Sequence, residues 1–527
     1  MTVKLYDTTL RDGAQQEGIS LSVDDKLKIT RRLDDLGIHY IEGGIPGSNP
    51  KDVEYFKRVS KLSLANSLVS AFGLTRRANG DAATDEGISL LLAADTPVVT
   101  LVGKSHSAQV INVLETTLQE NLAMLSDSIS YLKSKGRVVF FDAEHFFDGF
   151  KSDKEYAMQS LRVAIEAGAD SVALCDTNGG MLPADIDSIV KAVRQETSAD
   201  IGIHCHNDAD MAVANTIAAV QAGVSHVQGT INGYGERCGN ANLISIVANL
   251  KLKMGIDCMS SSQLSSLTQT SYYIGEIVNV HPNNSQPYVG TRAFTHKGGI
   301  HVAAINKMEE SYQHVDPSVI GNTKSVVISE VSGRGNIQYT LKEMGLENLI
   351  DRDQVGELLE KIKVQESKGF QYDGAEASFE LMVRRHIEGY VPPFTLVDFL
   401  VLVENQRRSP QDQGEGDMLA EAMVKVEVGN SLMHTVAEGN GPVNALSNAL
   451  NKSLLEYYPS LVEMRLVDYK VRVVDSGQDT SATVRVLIES TDGLHRWNTV
   501  GASGNIIEAS WQALSDSVEY FLVMKND

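Results

Sequence analysis

Positive charge is in short supply in this chain. Lys and Arg number 46 against 68 Asp and Glu, a formal net charge of −22. That balance argues against a nucleic-acid groove or an anionic membrane surface as partner, since both select for basic faces. It leaves small anionic substrates open, because a local arginine or a metal ion can still attract them. Cysteine is scarce as well: Cys175, Cys205, Cys238 and Cys258 form no Cys-x-x-Cys pair. Three of them sit in strand-end patterns, so a disulfide framework is not expected and a reducing compartment is. There is no 18-residue apolar run, and the first residues lead straight into a strand pattern without a signal peptide. The expectation is a cytoplasmic protein. Finally, no Gly-x-Gly-x-x-Gly follows the first strand pattern, which weakens an open dinucleotide-binding sheet.

What the chain does have is a hydrophobic content of 42% with 22% charged residues over 527 positions, enough for large cores in two to four domains. Short β-rich segments recur 25 to 40 positions apart: Val3–Asp7, Tyr40–Gly44, Leu68–Gly73, Val98–Val102, Val138–Ala143, Ser171–Cys175, Ile201–His206 and His226–Ile231. The stretches between them are amphipathic at helical spacing. In Val23–Leu36, for example, Leu27, Thr30, Leu33 and Leu36 share one side, while Asp24, Lys28, Arg31 and Asp35 face away. Eight strand–helix steps in succession predict a TIM-type (β/α)8 barrel over residues 1–258.

In such a barrel the C-terminal strand ends form one rim, where catalytic groups gather. Read strand by strand, the rim carries Asp7, Thr8, Arg11 and Asp12, then Glu42, Lys104 and His106, then Asp142, Glu144 and His145. It continues with Asp176, Thr177 and Asn178, His204 and His206, and Asn232, Glu236, Arg237 and Asn240. His204 and His206 lie two apart in the strand pattern of 201–206, so they leave by the same face about 7 Å apart. Two imidazoles at that separation can share one divalent ion.

Past the barrel, Ser260–Val280 reads as helix, residues 281–287 as a turn-rich link, and helical patterns follow through Glu309 and over Asn348–Lys363. Residues 259–406 are accordingly expected to be helical subdomains. A polar stretch at 407–416 is the expected linker, and 417–527 holds a repeat. Thr435-Val436 matches Thr499-Val500, and Val443, Ala445, Ala449 and Leu450 match Ile507, Ala509, Ala513 and Leu514, each pair 64 positions apart. The tail is expected to be α+β, two copies of a strand–strand–helix unit suited to binding or dimerisation.

Asp7-Thr-Thr-Leu-Arg-Asp-Gly13, the His204–Asp208 stretch and Gly233-Tyr-Gly-Glu-Arg-Cys-Gly-Asn-Ala241 resemble the motifs of metal-dependent acyl-CoA condensing barrels. That family comprises isopropylmalate, homocitrate and citramalate synthases with related lyases. The order of barrel, helical subdomains and two-repeat tail is similar to the synthases over essentially the whole chain. The stretches 41–50, 142–149 and 230–235 look most like the longer citramalate synthases. Ile45, His106 and Cys205 depart from that pattern at positions that are not ligands, which bears on substrate detail rather than chemistry.

The resemblance implies a divalent metal ion (Mn, Mg, Zn or Co) held by Asp12, His204 and His206, with Asn240 in or near its shell. It implies that Arg11 binds substrate and steadies developing oxyanion charge. Thr177 would hold an oxo-acid carboxylate, though a helix N-cap is an equal reading of that threonine. Glu144 and His301 would form a proton-transfer pair with Tyr312 as a further contributor, His301 coming from the partner protomer of a homodimer through subdomains that complete the active site. The implied reaction joins acetyl-CoA to pyruvate in isoleucine biosynthesis, with isoleucine as a feedback inhibitor bound by a regulatory tail. Alternatives are an isopropylmalate or homocitrate synthase taking a larger 2-oxo acid, a lyase, and a non-catalytic amino-acid sensor.

Overall fold

The computed structural model describes residues 2–280, 282–296, 299–305, 307–326, 333–347, 349–404, 419–474 and 482–526. These fall into two compact units, Met1–Phe294 with His314–Lys324, and Thr295–Gln313 with Ser325–Asp527.

The first unit is a closed, all-parallel barrel. Its strands are β1 (Lys4–Asp7), β2 (Tyr40–Gly44), β3 (Leu68–Leu74), β4 (Val98–Lys104), β5 (Val138–Glu144), β6 (Ser171–Asp176), β7 (Ile201–Cys205) and β8 (His226–Gly229). Each pairs with its sequence neighbour, and β1 closes on β8 in register from Lys4 opposite His226 to Asp7 opposite Gly229. The helix Val23–Leu36 shows how the outer ring is specified. Ser22 and Asp25 form a reciprocal capping box at its start, and Gly37 ends it in the left-handed region at φ 87°. Leu27, Thr30, Leu33 and Leu36 are buried as their spacing predicts, each leucine contributing roughly 1.5–3 kcal/mol by leaving water.

The barrel interior is layered rather than uniformly apolar. Toward the N-terminal ends of the strands, Tyr6, Tyr40, Phe140 and His226 pack as a ring cluster with centroids 5.0–6.1 Å apart. Above it lies a buried polar layer whose members satisfy one another: the Tyr6 hydroxyl donates to Glu42 Oε1 at 2.8 Å and meets Thr100 Oγ1 at 2.7 Å, and Thr100 meets Ser70 at 2.9 Å. This layer is the floor of the mouth.

The second unit holds a short parallel pair, β9 (Thr295–His296) with β10 (Ser325–Val326), and the helices Gly299–Ile305, Arg334–Glu343, Arg352–Ser367 and Glu376–Arg384. It also holds two antiparallel three-stranded sheets. One is β11 (Thr395–Glu404), β12 (Leu419–Val428) and β13 (Ser431–Gly439), packed with helix Pro442–Leu454; the other is β14 (Arg465–Val473), β15 (Val484–Thr491) and β16 (Arg496–Ser503), packed with helix Ile506–Asn526. The repeat is thus real but larger than expected, with a third strand, β11 or β14, on the edge of each copy. β11 is a near-continuous apolar run, a pattern whose period does not separate strand from helix. The expected linker 407–416 lies outside the described residues, yet β11 before it and β12 after it are hydrogen-bonded neighbours. The tail module therefore begins by Thr395, not at 417. The repeat carries one polar contact in both copies: Thr435 Oγ1 donates to the Ala449 carbonyl and Thr499 Oγ1 to that of Ala513, each at 2.7 Å. Among the described residues no helix is long and apolar enough to cross a membrane.

Candidate active site

Beyond β1 the chain turns across the barrel mouth. Asp7 anchors the turn by accepting the Thr9 amide at 2.9 Å and hydroxyl at 2.8 Å, and the Thr8 amide donates to the Gly229 carbonyl of β8 at 2.8 Å. Arg11 and Asp12 are thereby carried over the strand ends. On the far side His204 stands near the end of β7, and His206 forms an isolated bridge with Asn240. The return loop that brings Asn240 there depends on Gly239, whose φ is 89° and where an added Cβ would sit 2.1 Å from the Gly233 carbonyl oxygen.

Asp12, His204 and His206 meet at the mouth, buried, with one ligand atom from each lying within 4.8 Å of the others. Asp12 Oδ2 is 3.2 Å from His204 Nε2 and 3.9 Å from His206 Nε2, and the two Nε2 atoms are 3.4 Å apart. Asn240 Nδ2 donates to the same Asp12 oxygen at 2.7 Å. Among the described residues, Asn240 Oδ1 and His206 Nδ1 are buried with no hydrogen-bond partner. A carboxylate, two facing imidazole nitrogens and an unpartnered amide oxygen are the donor set of a divalent-cation site, and buried polar atoms otherwise find partners.

The electrostatics agree. Burial pushes the Asp12 carboxyl upward, but the Arg11 guanidinium and the two histidines outweigh it and hold it well below the usual range. Burial and then the neighbouring His204 hold His206 down to about 4, so it presents a lone pair at neutral pH. Desolvation opposes charge on His204 too, yet its hydrogen bond and attraction to Asp12 raise it overall.

Arg11 is fixed from three sides. Its Nε donates to Glu42 Oε2 at 2.5 Å, its Nη1 lies 3.6 Å from Asp12 Oδ1, and its guanidinium carbon sits 3.9 Å from the centroid of the Phe72 ring. Glu144, at the end of β5, pairs with Lys104 at the end of β4. Thr177 Oγ1 accepts the backbone amide of His145, a residue held in the left-handed region at φ 58°. Helix Pro183–Glu196 starts six residues on after Leu182, so the N-cap reading of Thr177 does not hold. Arg11, Glu144 and Thr177, with Phe72, Leu74, Val102 and Asp142, line one cavity of about 310 Å³ that also takes in Asp12 and the two histidines.

Other rim residues serve the fold. His106 caps the helix Ser107–Asn112, Asp176 accepts the amides of Gly180 and Met181, and Asn232 is tied to Ser271 and Gln286. His301 and Tyr312 belong to the second unit, where their rings stack at 4.2 Å. Unanticipated from sequence was Gln228 on β8. Its Oε1 accepts from His204 Nδ1 at 2.9 Å and its Nε2 donates to Asp142 Oδ1 at 2.8 Å. Burial, and then the charge of Glu42, push Asp142 up to about 6. A polar residue mid-strand in a barrel was the available signal.

Residues 2–274 match the HMGL-like family, 288–369 the homocitrate synthase post-HMGL domain, and 373–522 the LeuA allosteric (dimerisation) domain. The chain is 49% identical over 521 residues to an (R)-citramalate synthase of Geobacter sulfurreducens, covering 99% of this chain and 97% of that protein. It is 47% identical over 522 residues to the (R)-citramalate synthase of Aquifex aeolicus, at 99% and 98% coverage. To that of Streptomyces coelicolor it is 48% identical over 520 residues, at 98% and 96%.

Proposed function

Since the chain belongs to the HMGL-like family, among the (R)-citramalate synthases, we propose that it joins acetyl-CoA to pyruvate, giving (R)-citramalate and CoA for isoleucine biosynthesis. It is an acyltransferase that converts the acyl group into an alkyl group on transfer. The observation that carries this reading is the buried meeting of Asp12, His204 and His206 at the mouth of a barrel matched from end to end by such enzymes.

Asp12, His204 and His206 hold a divalent cation, Mn, Mg, Zn or Co, with Asn240 Oδ1 beside it. When bound, that ion supplies a Lewis acid for the ketone and takes up alkoxide charge. Thr177 receives the pyruvate carboxylate, and the apolar wall of Phe72, Leu74 and Val102 faces its methyl end. A wall of that kind separates acceptors differing by one methylene by roughly 1–3 kcal/mol. Glu144, oriented by Lys104, takes a proton from the acetyl methyl group, whose carbon then bonds to the ketone carbon of pyruvate. Arg11 stands over the mouth with its Nε held by Glu42, and its remaining N–H donors serve the oxygen that gains charge. His301 and Tyr312 complete the proton transfers from the second unit of the partner in a homodimer. Water finally cleaves the thioester and CoA leaves.

Release of free thiol from acetyl-CoA, measured with a panel of 2-oxo acids with and without chelator, tests this. Pyruvate should be the preferred acceptor. Preference for a branched or longer oxo acid would move the reading to an isopropylmalate or homocitrate synthase, and no release with any acceptor would leave an amino-acid sensor. Isoleucine is the proposed inhibitor at the tail, supported by the match to an allosteric domain. Trp497 and Trp511, the two tryptophans of the chain, both lie in the tail, so isoleucine should change their fluorescence and valine or leucine should do so less.

A further inference from the structure

The Asp142–Gln228–His204 chain has a direction written into it. A carboxylate only accepts, so Asp142 Oδ1 draws the amide NH₂ end of Gln228 toward itself at 2.8 Å. The Gln228 carbonyl oxygen is then left facing His204 Nδ1 at 2.9 Å, and a carbonyl also only accepts. Nδ1 must therefore carry a ring proton, and Nε2 is the nitrogen left for a cation. It is Nε2 that faces Asp12 at 3.2 Å and His206 Nε2 at 3.4 Å. Gln228 is fully buried and Asp142 nearly so, which leaves water little room to substitute for either contact. His206 has no such support, since its Nδ1 has no partner among the described residues.

We propose that Gln228 is a positioning residue: held by Asp142, it fixes the His204 ring in the tautomer and orientation that a cation at the barrel mouth requires. The proposal rests on the reading of Asp12, His204 and His206 as a metal site. Outer partners of a metal-bound imidazole typically change metal affinity by 10–100-fold when removed.

The probe is Co²⁺ alone, titrated into the full-length protein and followed by its electronic spectrum, with melting in chelator as the check on folding. Gln228→Leu should weaken Co²⁺ binding by about 10–100-fold with the chelated melting transition retained. The pair Asp142→Asn with Gln228→Glu reverses the hydrogen bond between the two positions, the side chain at 142 now donating, and keeps at 228 an acceptor for His204 Nδ1. It should bind Co²⁺ within about threefold of the unaltered protein, far inside that 10–100-fold loss. Unaltered protein that binds no Co²⁺ would remove the metal site itself. Unaltered binding with an equally tight Gln228→Leu, or a double variant no better than the single one, overturns the relay alone. Should Gln228→Leu fail to fold, ¹⁵N-histidine spectra of the zinc-loaded, unaltered protein decide: the proposal requires a His204 ring bound through Nε2 and protonated at Nδ1, and zinc on Nδ1 contradicts it.

Discussion

Replacing Arg11 with Gln should damage the protein in two separable ways. Its guanidinium is bracketed by Glu42, which is fully buried, and Asp12, which is 3% exposed. Removing the cation strands both carboxylates. An ion pair near 4 Å at an effective dielectric of 20 is worth about 4 kcal/mol, and breaking one side of a buried pair costs about 3–5 kcal/mol. Loss of the stack on Phe72 adds about 0.5–2 kcal/mol. The barrel should therefore lose about 3.5–7 kcal/mol in Arg11→Gln. Adding Glu42→Gln removes a stranded charge, so the double variant should be more stable than the sum of its parts by about 2 kcal/mol or more. Turnover should behave differently, falling about 10²–10³-fold in both Arg11 variants because the oxyanion donors are gone in each. The assay is scanning calorimetry with chelator present, because both tryptophans lie in the second unit and do not report on the barrel. Strict additivity of the two substitutions would refute the buried-pair reasoning. Recovery of kcat along with stability in the double variant would reduce Arg11 to a structural role.

Asp7 should impose a pH dependence opposite to that of a salt-bridged carboxylate. Burial raises it from 3.8 to about 7, so between those values the unfolded chain has lost the proton that the folded one keeps. Stability should fall as pH rises from about 4 to about 7, by at most about 4 kcal/mol, and be flat on either side; melting temperatures of Asp7→Asn should show a smaller slope in that window. Thr177→Val should raise the KM for pyruvate more than it lowers kcat, and an unchanged KM would deny Thr177 the carboxylate. In the tail, Thr499→Val removes a fully buried hydrogen bond to Ala513 and should destabilise by about 1–3 kcal/mol. Thr435→Val, at the half-buried matching position, should cost less, which denaturation followed by tryptophan fluorescence would check.

The barrel was legible because its parallel strands are short apolar runs separated by amphipathic helices, and the observed strands differ from the predicted ones by no more than two residues at an end. Asp12, His204 and His206 were legible for a related reason: the strand period puts the two histidines on one face, and the rim rule places residue 12 near them. Gln228 and the Tyr6–Glu42–Thr100 layer were not, because strands buried on both faces carry no local pattern to say which residues point inward. β11 and β14 escaped for want of turn residues and a decisive period. His301 and Tyr312 could be named by motif alone, and nothing in the strand and helix periods places them; the structure sets them in the second unit, stacked on each other.

The most direct measurement is anomalous diffraction at the zinc edge from crystals of the zinc-loaded protein. A single strong peak is expected at the barrel mouth, about 2.0–2.2 Å from Asp12 Oδ2, His204 Nε2 and His206 Nε2. A map with no peak between those three atoms, or with zinc held elsewhere and Asp12 turned away, would contradict a cation-centred condensation.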